Sequence, residues 1–295
     1  MLDPRWDIVG GEALRVESNQ NYSQKDLCMN FGAHCASIVF PPNLQGKETM
    51  RLSIIVPVLN EAEIVKKNLQ HLRDYAPAEE IVVVDGGSAD ASCEIARLLA
   101  DQVAQSARGR ARQMNAGAKL ACGDVFWFVH ADSEIARGSV QAIERILTDP
   151  EVVGGCFQLR IASTRRIYRV RDAIGNFLVD LFGIALGDRG LFCRREAFFQ
   201  AGGYPEIPIL EDAEFYRSLK RCGQVVQLRE KIQTSPRRYE ALGPVTTMLF
   251  YTLIMLLYVL RVPISVLEKM VSHYAAKRQS HAIKVENYCT SIGSK

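Results

Sequence analysis

What this sequence lacks narrows it before any motif is read. Its eight cysteines form no CxxC pair and no Cys/His ligand spacing, and they lie scattered through apolar stretches. That argues against a disulfide framework or a zinc site and reads as buried free thiols in a reducing compartment. No charge of one sign dominates: 36 basic and 33 acidic side chains leave a net +3, which gives no case for a general nucleic-acid binder. GxGxxG is absent, so a dinucleotide-binding Rossmann site has no direct support. No basic cap with a following apolar block opens the chain, so no secretory signal is read and the catalytic body is expected to face the cytosol. Solenoid repeats are missing too, and 295 residues suffice for one sizeable core, or one catalytic domain with an appendage.

What is present begins late. Residues 1–49 have little periodicity and end in "FPPNLQGKE", so a weakly ordered leader is expected, with Met50 as an alternative translation start. From Leu52 short apolar runs alternate with amphipathic segments. "LSIIVP", "IVVVD" and "FWFVH" have the β-branched and aromatic enrichment of strands buried on both faces. Helices are expected from about Glu61 to Tyr75, Ala89 to Ala100 and Arg108 to Ala121, and over "RGSVQAIERIL". That alternation predicts an α/β domain, Rossmann-like, with a mostly parallel central sheet and helices on both faces, and its function at the strand C-termini. Beyond Pro150 the rhythm loosens: "VVGGCFQLRI" and "RGLFCRR" read as strands, Arg166 to Phe182 and "EDAEFYRSLKRCG" as helices. Domain limits of 50–240 for the catalytic part, 241–280 for a hydrophobic helical segment and 281–295 for a tail follow.

Four acidic clusters fall where a parallel sheet opens its crevice. In "PVLNE", Pro57 is expected to stop the first strand, with Asn60 and Glu61 at a helix start able to receive donors from a base or ribose. In "VVVDGGSAD", Asp85 ends the second strand, and Ser88 or Asp90 could cap the next helix; a plain strand-to-helix turn is the other reading. In "HAD", an extended backbone would point His130 and Asp132 to the same side. Asp132 could then share a divalent ion with a diphosphate, or simply cap the segment that follows. In "LEDAEF", Glu211 and Asp212 begin a helix, where the dipole favours the ionised carboxylate that a general base needs at neutral pH. Ordinary helix-start acids are the alternative. Among basic groups, Arg110 with Gln113 and Asn115 could contact a nucleotide or its phosphates, or form a solvated face; Arg237 and Arg238 could clamp a diphosphate or meet lipid headgroups.

In order along the chain, "PVLNE", "VVVDGGSAD", "GRARQMNAG", "HAD", "GDRGLFCRR", "LEDAEF" and "SPRRY" resemble family 2 glycosyltransferases with a GT-A fold, over about residues 51 to 275. The chain is similar to the bacterial rSAM/selenodomain-associated transferase 2 subgroup, to which carotenoid glycosyltransferases of the 4,4'-diaponeurosporenoate type are also assigned. The resemblance implies nucleotide-binding roles for Pro57, Asn60, Glu61, Asp85, Ser88, Arg110 and Gln113. It implies metal and diphosphate contact at Asp132, with His130 standing where the family commonly has an acid, and diphosphate or acceptor contact at Gly187, Asp188, Arg237 and Arg238. Asp212 maps to the catalytic base, with Glu211 beside it. The QxxRW element of processive synthases is reduced to "SPRRY", so a single sugar transfer is expected. The implied cofactor is Mg2+ or Mn2+, and the implied partners are a nucleoside-diphosphate sugar and an acceptor, with no nucleic acid.

The run 245–260, "VTTMLFYTLIMLLYVL", carries no charge. As a helix it spans roughly 24 Å, short of a ~30 Å hydrocarbon core, so insertion or interfacial docking competes with a buried or dimer helix. Membrane association would place the enzyme on the cytoplasmic face of the cell membrane, with a lipid-like acceptor. Two competing functions are a non-catalytic nucleotide-sugar binder and a sugar nucleotidyltransferase. The second predicts a glycine-rich basic loop after the first strand, where "PVLNEAE" stands.

Overall fold

The apolar runs become strands because their side chains are buried from both sides of one sheet. β1 (Leu52–Val58) is buried at every position, and β2 (Glu80–Asp85) at all but its first. A computed structural model of the protein describes residues 50–240 and 243–276, with the side chains of Arg237 and Arg238 outside that description. The chain divides into two units, Met1–Glu48 and Thr49–Lys295; the expected leader and the 281–295 tail lie outside the described residues.

The sheet has the order β3-β2-β1-β4-β7-β6-β8-β5, with β3 Gln102–Gln105, β4 Val125–Phe128, β5 Ser133–Glu134, β6 Val152–Ile161, β7 Phe192–Arg194 and β8 Gln224–Thr234. Its first four strands are parallel, with Val58 opposite Asp85 and Ile55 opposite Phe128. After β4 the sheet turns mixed: β7 runs antiparallel to β4 and β6, β8 parallel to β6, and β5 antiparallel to β8. The expectation of a mostly parallel sheet therefore holds for the first half and is corrected for the second. From β1 the chain builds outward to β2 and β3, then crosses back to β4 on the other side. The strand order thus switches between β1 and β4, and the crevice opens at their carboxyl ends.

Helices cover both faces. α1 (Ala62–Tyr75) buries Val65, Leu69 and Leu72 on the side that also holds Trp127 and Phe157. At ~1.5–3 kcal/mol per buried aliphatic side chain, that stripe docks the helix. α2 (Ser92–Arg97) is shorter than expected, and α4 (Ser139–Ile146) lies on the same face. The opposite face carries α3 (Arg110–Leu120), α6 (Arg195–Gln200) and α7 (Glu211–Leu219) around Phe126, Phe128, Phe198 and Phe215. Gly117 lets α3 approach closely, since a Cβ there would meet Ile55 Cγ2 at 2.4 Å.

The remaining helices are α5 (Arg166–Phe182), α8 (Arg237–Glu240) and α9 (Pro244–Val259), and residues 264–276 are also helical. α9 packs Ile254 and Tyr258 beside Ala213 of α7. Among the described residues no helix is long and apolar enough to cross a membrane. Cys93, Cys122, Cys156, Cys193 and Cys222 are free thiols.

Candidate active site

At the strand switch lies a cleft of about 260 Å3. Pro57, Val58, Leu59 and Glu61 line it from the end of β1; Arg108, Gly109, Arg110 and Gln113 from the start of α3; His130, Ala131 and Asp132 from beyond β4. Pro57 does not stop β1, as its place in the sequence suggested, but pairs with Val84 inside it. The ladder to β4 ends at Ile55–Phe128, so no partner on that side asks Pro57 for an N–H. A proline here marks where the two strands part.

The loops after β1 and β2 hold each other. Asn60, at φ 53°, donates its N–H to Ser88 Oγ at 2.9 Å, and its Oδ1 accepts from Ala89 N–H at 2.8 Å. Glu61 N–H reaches Ser92 Oγ at 2.8 Å, and Ala62 N–H reaches Asp90 Oδ2 at 3.1 Å. Asp90 therefore serves the start of α1 and, accepting Ser92 N–H on Oδ1 at 3.0 Å, the first residue of α2 as well. Hydrogen bonding to the Ser92 hydroxyl, with backbone donors, holds the Asp90 carboxyl below its usual range. Asp85, fully buried, accepts the N–H groups of Gly87 and Ser88 at 3.0 Å and the Ser88 hydroxyl. Gln113 bridges the strand ends, its amide donating to Val58 O at 2.8 Å and Val84 O at 2.9 Å. Asn115 clasps the Tyr204 backbone in both directions at 2.8 Å. Of the expected nucleotide contacts, Pro57, Glu61, Arg110 and Gln113 line the cleft, while Asn60, Asp85 and Ser88 are not part of its lining and tie the neighbouring loops together.

The acids converge on one guanidinium. Arg110, half exposed, pairs its Nε with Oε1 of the buried Glu211 at 3.1 Å. Burial alone would lower the Arg110 pKa, but Glu211, Asp212, Asp188 and Asp132 together outweigh it and raise the pKa. Four carboxylates from three separate segments thus act on the same cation. Asp212 is 4% exposed, its Oδ1 has no hydrogen-bond partner, and it receives a bond from the Gly187 backbone. Gly187 opens the short 3-10 turn Gly187–Arg189, and a Cβ on it would sit 2.5 Å from both Asp212 carboxylate oxygens. Burial, then the neighbouring Glu211 charge, push Asp212 up from 3.8 to about 7, against the pull of Arg110. The helix start does not hold this carboxyl at its ordinary value, because burial outweighs what the dipole returns. Asp188 is half-buried, with Oδ1 lacking a hydrogen-bond partner.

His130 and Asp132 both border the cleft, but not in the extended backbone expected of them. β4 ends at Phe128, and Ser133 N–H closes a turn onto His130 O at 3.0 Å. The Asn68 amide of α1 donates to His130 O at 3.0 Å and Ala131 O at 2.5 Å, which fixes the turn. Among the described residues no group of three or more His, Cys, Asp or Glu converges as an ion cage. One carboxylate beside one imidazole fits Mg2+ or Mn2+ as a shared site, completed by phosphate oxygens and water.

Arg237 and Arg238 fall outside the described side chains. Their neighbour Tyr239 is buried and accepts from Arg171 Nη2 at 2.7 Å. Sequence reasoning passed over Arg189, the last residue of the 3-10 turn, which is 5% exposed and donates to Asn176 Oδ1 at 2.6 Å. It also passed over Leu59 in the cleft wall, whereas Arg108, read from the sequence as a basic group at the helix start, lines that wall. The motif "GDRG" gave the place of Arg189, but nothing in its spacing indicated burial.

A family model described as Glycosyl transferase family 2 matches residues 53–200. The chain belongs to that family. The chain is also similar to solved structures at a level that shows the fold alone. They include a mannosyltransferase, PcManGT from Pyrobaculum calidifontis, in complex with GDP-Man and Mn2+, at 21% identity and TM-score 0.53, with 70% of this chain and 64% of that one covered. S. aureus TarS 1-349 in complex with UDP-GlcNAc gives 18% identity and TM-score 0.51, covering 63% and 58%. GalNAc-T7 with UDP, GalNAc and Mn2+ gives 15% and 0.50, covering 64% and 44%. The chain thus spans less than two thirds of the length of each of these proteins. No curated protein matches it.

Proposed function

We propose that this glycosyltransferase moves a sugar from a nucleoside diphosphate to a hydroxyl or carboxyl of a lipid-like acceptor, with inversion and one transfer at a time, at the cytoplasmic face of the membrane. The observation that carries this reading is the ion pair that ties Arg110, lining the cleft together with Asp132, to the buried Glu211 next to Asp212. Glu61 and the loop from Pro57 to Leu59 take the nucleoside side of the donor. Arg108 and Arg110 take the diphosphate, because guanidinium forks match phosphate oxygens. Mg2+ or Mn2+, held by Asp132 with His130 beside it, would supply charge neutralisation to the departing diphosphate. The relatives seen with GDP-Man and Mn2+, and with UDP-GlcNAc, support that donor class.

Asp212 is the base. Its buried, partnerless Oδ1 accepts the proton of the acceptor hydroxyl, the freed oxygen bonds to the anomeric carbon, and the bond from that carbon to phosphate oxygen breaks on the opposite face. A carboxyl titrating near 7 takes that proton readily and returns it readily. The apolar helix α9, seated against α7, supports a lipid-like acceptor, and a carotenoid of the kind handled by the resembled subgroup is one instance.

Hydrolysis and transfer from a panel of nucleotide sugars, with and without Mg2+ or Mn2+, tests the reading. Release of free nucleoside diphosphate from one donor is expected. Binding without turnover would favour a non-catalytic binder, and release of pyrophosphate from a nucleoside triphosphate would favour a nucleotidyltransferase.

A further inference from the structure

α5 is amphipathic the wrong way round. Its inner face presents Tyr168, Asp172, Asn176 and Val179, and the two polar residues receive backbone N–H groups of β6: Ile161 on Asp172 Oδ2 at 3.1 Å, Leu159 on Asn176 Oδ1 at 3.0 Å. Its outer face presents Val170, Ile174, Phe177 and Leu181, all more than half exposed, with Phe182 at the end. Steps of four, three and four residues put these on one stripe. Nothing in the core requires that stripe, because the helix is anchored from within by hydrogen bonds.

α9 carries a second stripe: Val245, Leu249, Leu253, Leu256 and Leu260 are exposed. The two helices are neighbours. Met248 and Tyr251 of α9 pack with Ile167 and Tyr168 of α5, and Ile184 and Leu186, just past α5, join the cluster under Ile254. Both meet the catalytic groups: the turn bearing Gly187 and Asp188 follows α5 directly, and Tyr258 of α9 donates to Glu214 of α7 at 2.7 Å. Cations flank the stripes. Arg165, Arg166 and Arg169 are exposed at the start of α5, and Arg261 and Lys269 beyond the end of α9. An apolar stripe with arginines at its edge matches an anionic bilayer, whose acyl layer takes the stripe and whose phosphates take the guanidiniums.

Resting on the function proposed above, we propose that α5 is a second membrane-contacting element. Phe177 and Leu181 enter the interface of an anionic bilayer, Arg165, Arg166 and Arg169 bind lipid phosphate, and with α9 they set the Asp188 and Asp212 side of the site toward the surface that supplies the acceptor.

The test is flotation of the full chain with vesicles of phosphatidylcholine plus phosphatidylglycerol, against vesicles of phosphatidylcholine alone. Phe177→Ser with Leu181→Ser should weaken binding roughly tenfold or more, while thermal unfolding and donor hydrolysis without vesicles stay unchanged. Arg165→Gln, Arg166→Gln and Arg169→Gln together should remove the preference for the anionic vesicles. Undiminished binding of the double serine variant, with Leu249→Ser and Leu256→Ser alone abolishing it, overturns the proposal for α5. A wild-type dimer that the double serine variant splits also overturns it and assigns the stripe to a second copy of the chain. The two readings fail separately: vesicle binding through α5 in a protein that turns over no nucleotide sugar sinks the proposed function and leaves this surface standing. Normal hydrolysis with α5 irrelevant to binding does the reverse.

Discussion

Arg110 Nε sits 3.1 Å from Glu211 Oε1, joining the first turn of α3 to the first turn of α7. The pair is lopsided: the carboxylate is buried and the guanidinium half exposed. The buried Glu211 and Asp212 depend on that cation more than it depends on them. Arg110→Gln should therefore act first on the base. With its main opposing charge gone, Asp212 binds its proton more tightly, and the rising limb of kcat/KM moves to higher pH. Loss of a charge-assisted contact to phosphate should also raise the donor KM by roughly tenfold to a hundredfold. A pH profile in Arg110→Gln that overlays the wild type would detach Arg110 from the base.

Asp212 gives a prediction of opposite sign for activity and stability. In the wild type kcat/KM should rise with pH through about 7, as the carboxyl loses its proton. Stability runs the other way. The folded-state pKa lies above the unfolded value near 3.8, so between the two the native protein holds more protons than the unfolded chain, and stability falls as pH rises through that window. Asp212→Asn has no charge to desolvate. It should lose transfer by several orders of magnitude with donor binding nearly intact, and its melting temperature should gain on the wild type progressively from about pH 4 to about pH 7. A constant difference across that range would mean the native carboxyl titrates normally.

Sequence pattern revealed the frame where burial is uniform. β1, β2 and β4 read as apolar runs, and β6 and α5 are found at their expected limits, Val152–Ile161 and Arg166–Phe182. β8 escaped because its middle is charged: Leu228 pairs with Phe157 and Lys231 with Gln158, so Arg229 and Glu230 bulge out of register. Periodicity separated the two faces of α5 but could not say which goes inside, and here the polar face does. The acids of the site were legible by type and position. Their common partner was not, since Arg110 and Glu211 meet only through packing. Nor was the protonation of Asp212, which depends on the Gly187 turn and the Glu211 carboxylate closing around it.

Gly187→Ala should separate positioning from chemistry. The added methyl would lie 2.5 Å from both Asp212 oxygens, so either the turn or the base must move. A displacement of about 1 Å at a catalytic group costs about a hundredfold in rate. The expected result is a kcat lower by about that factor, with donor KM changed little and the melting temperature within a few degrees of wild type. Unaltered kcat would show that the Gly187 turn does not position the base.

Gln113 tests whether the cleft is held by its rim or by its floor. The buried amide donates to Val58 O, the last carbonyl of β1, and Val84 O, the last but one of β2. Gly86 leaves room for it, since a Cβ there would come within 3.0 Å of its Cδ and Oε1. Gln113→Leu keeps the volume and removes the donor, stranding two carbonyls at about 1–3 kcal/mol each before any relaxation. Denaturant midpoints should fall by a corresponding amount with an unchanged slope, because the surface exposed on unfolding is the same. The strand ends would then be free to spread under the nucleoside, so donor KM should rise more than kcat falls. Lost stability with an unaltered KM would assign Gln113 to the fold alone, leaving Glu61 and the arginines of α3 to hold the donor.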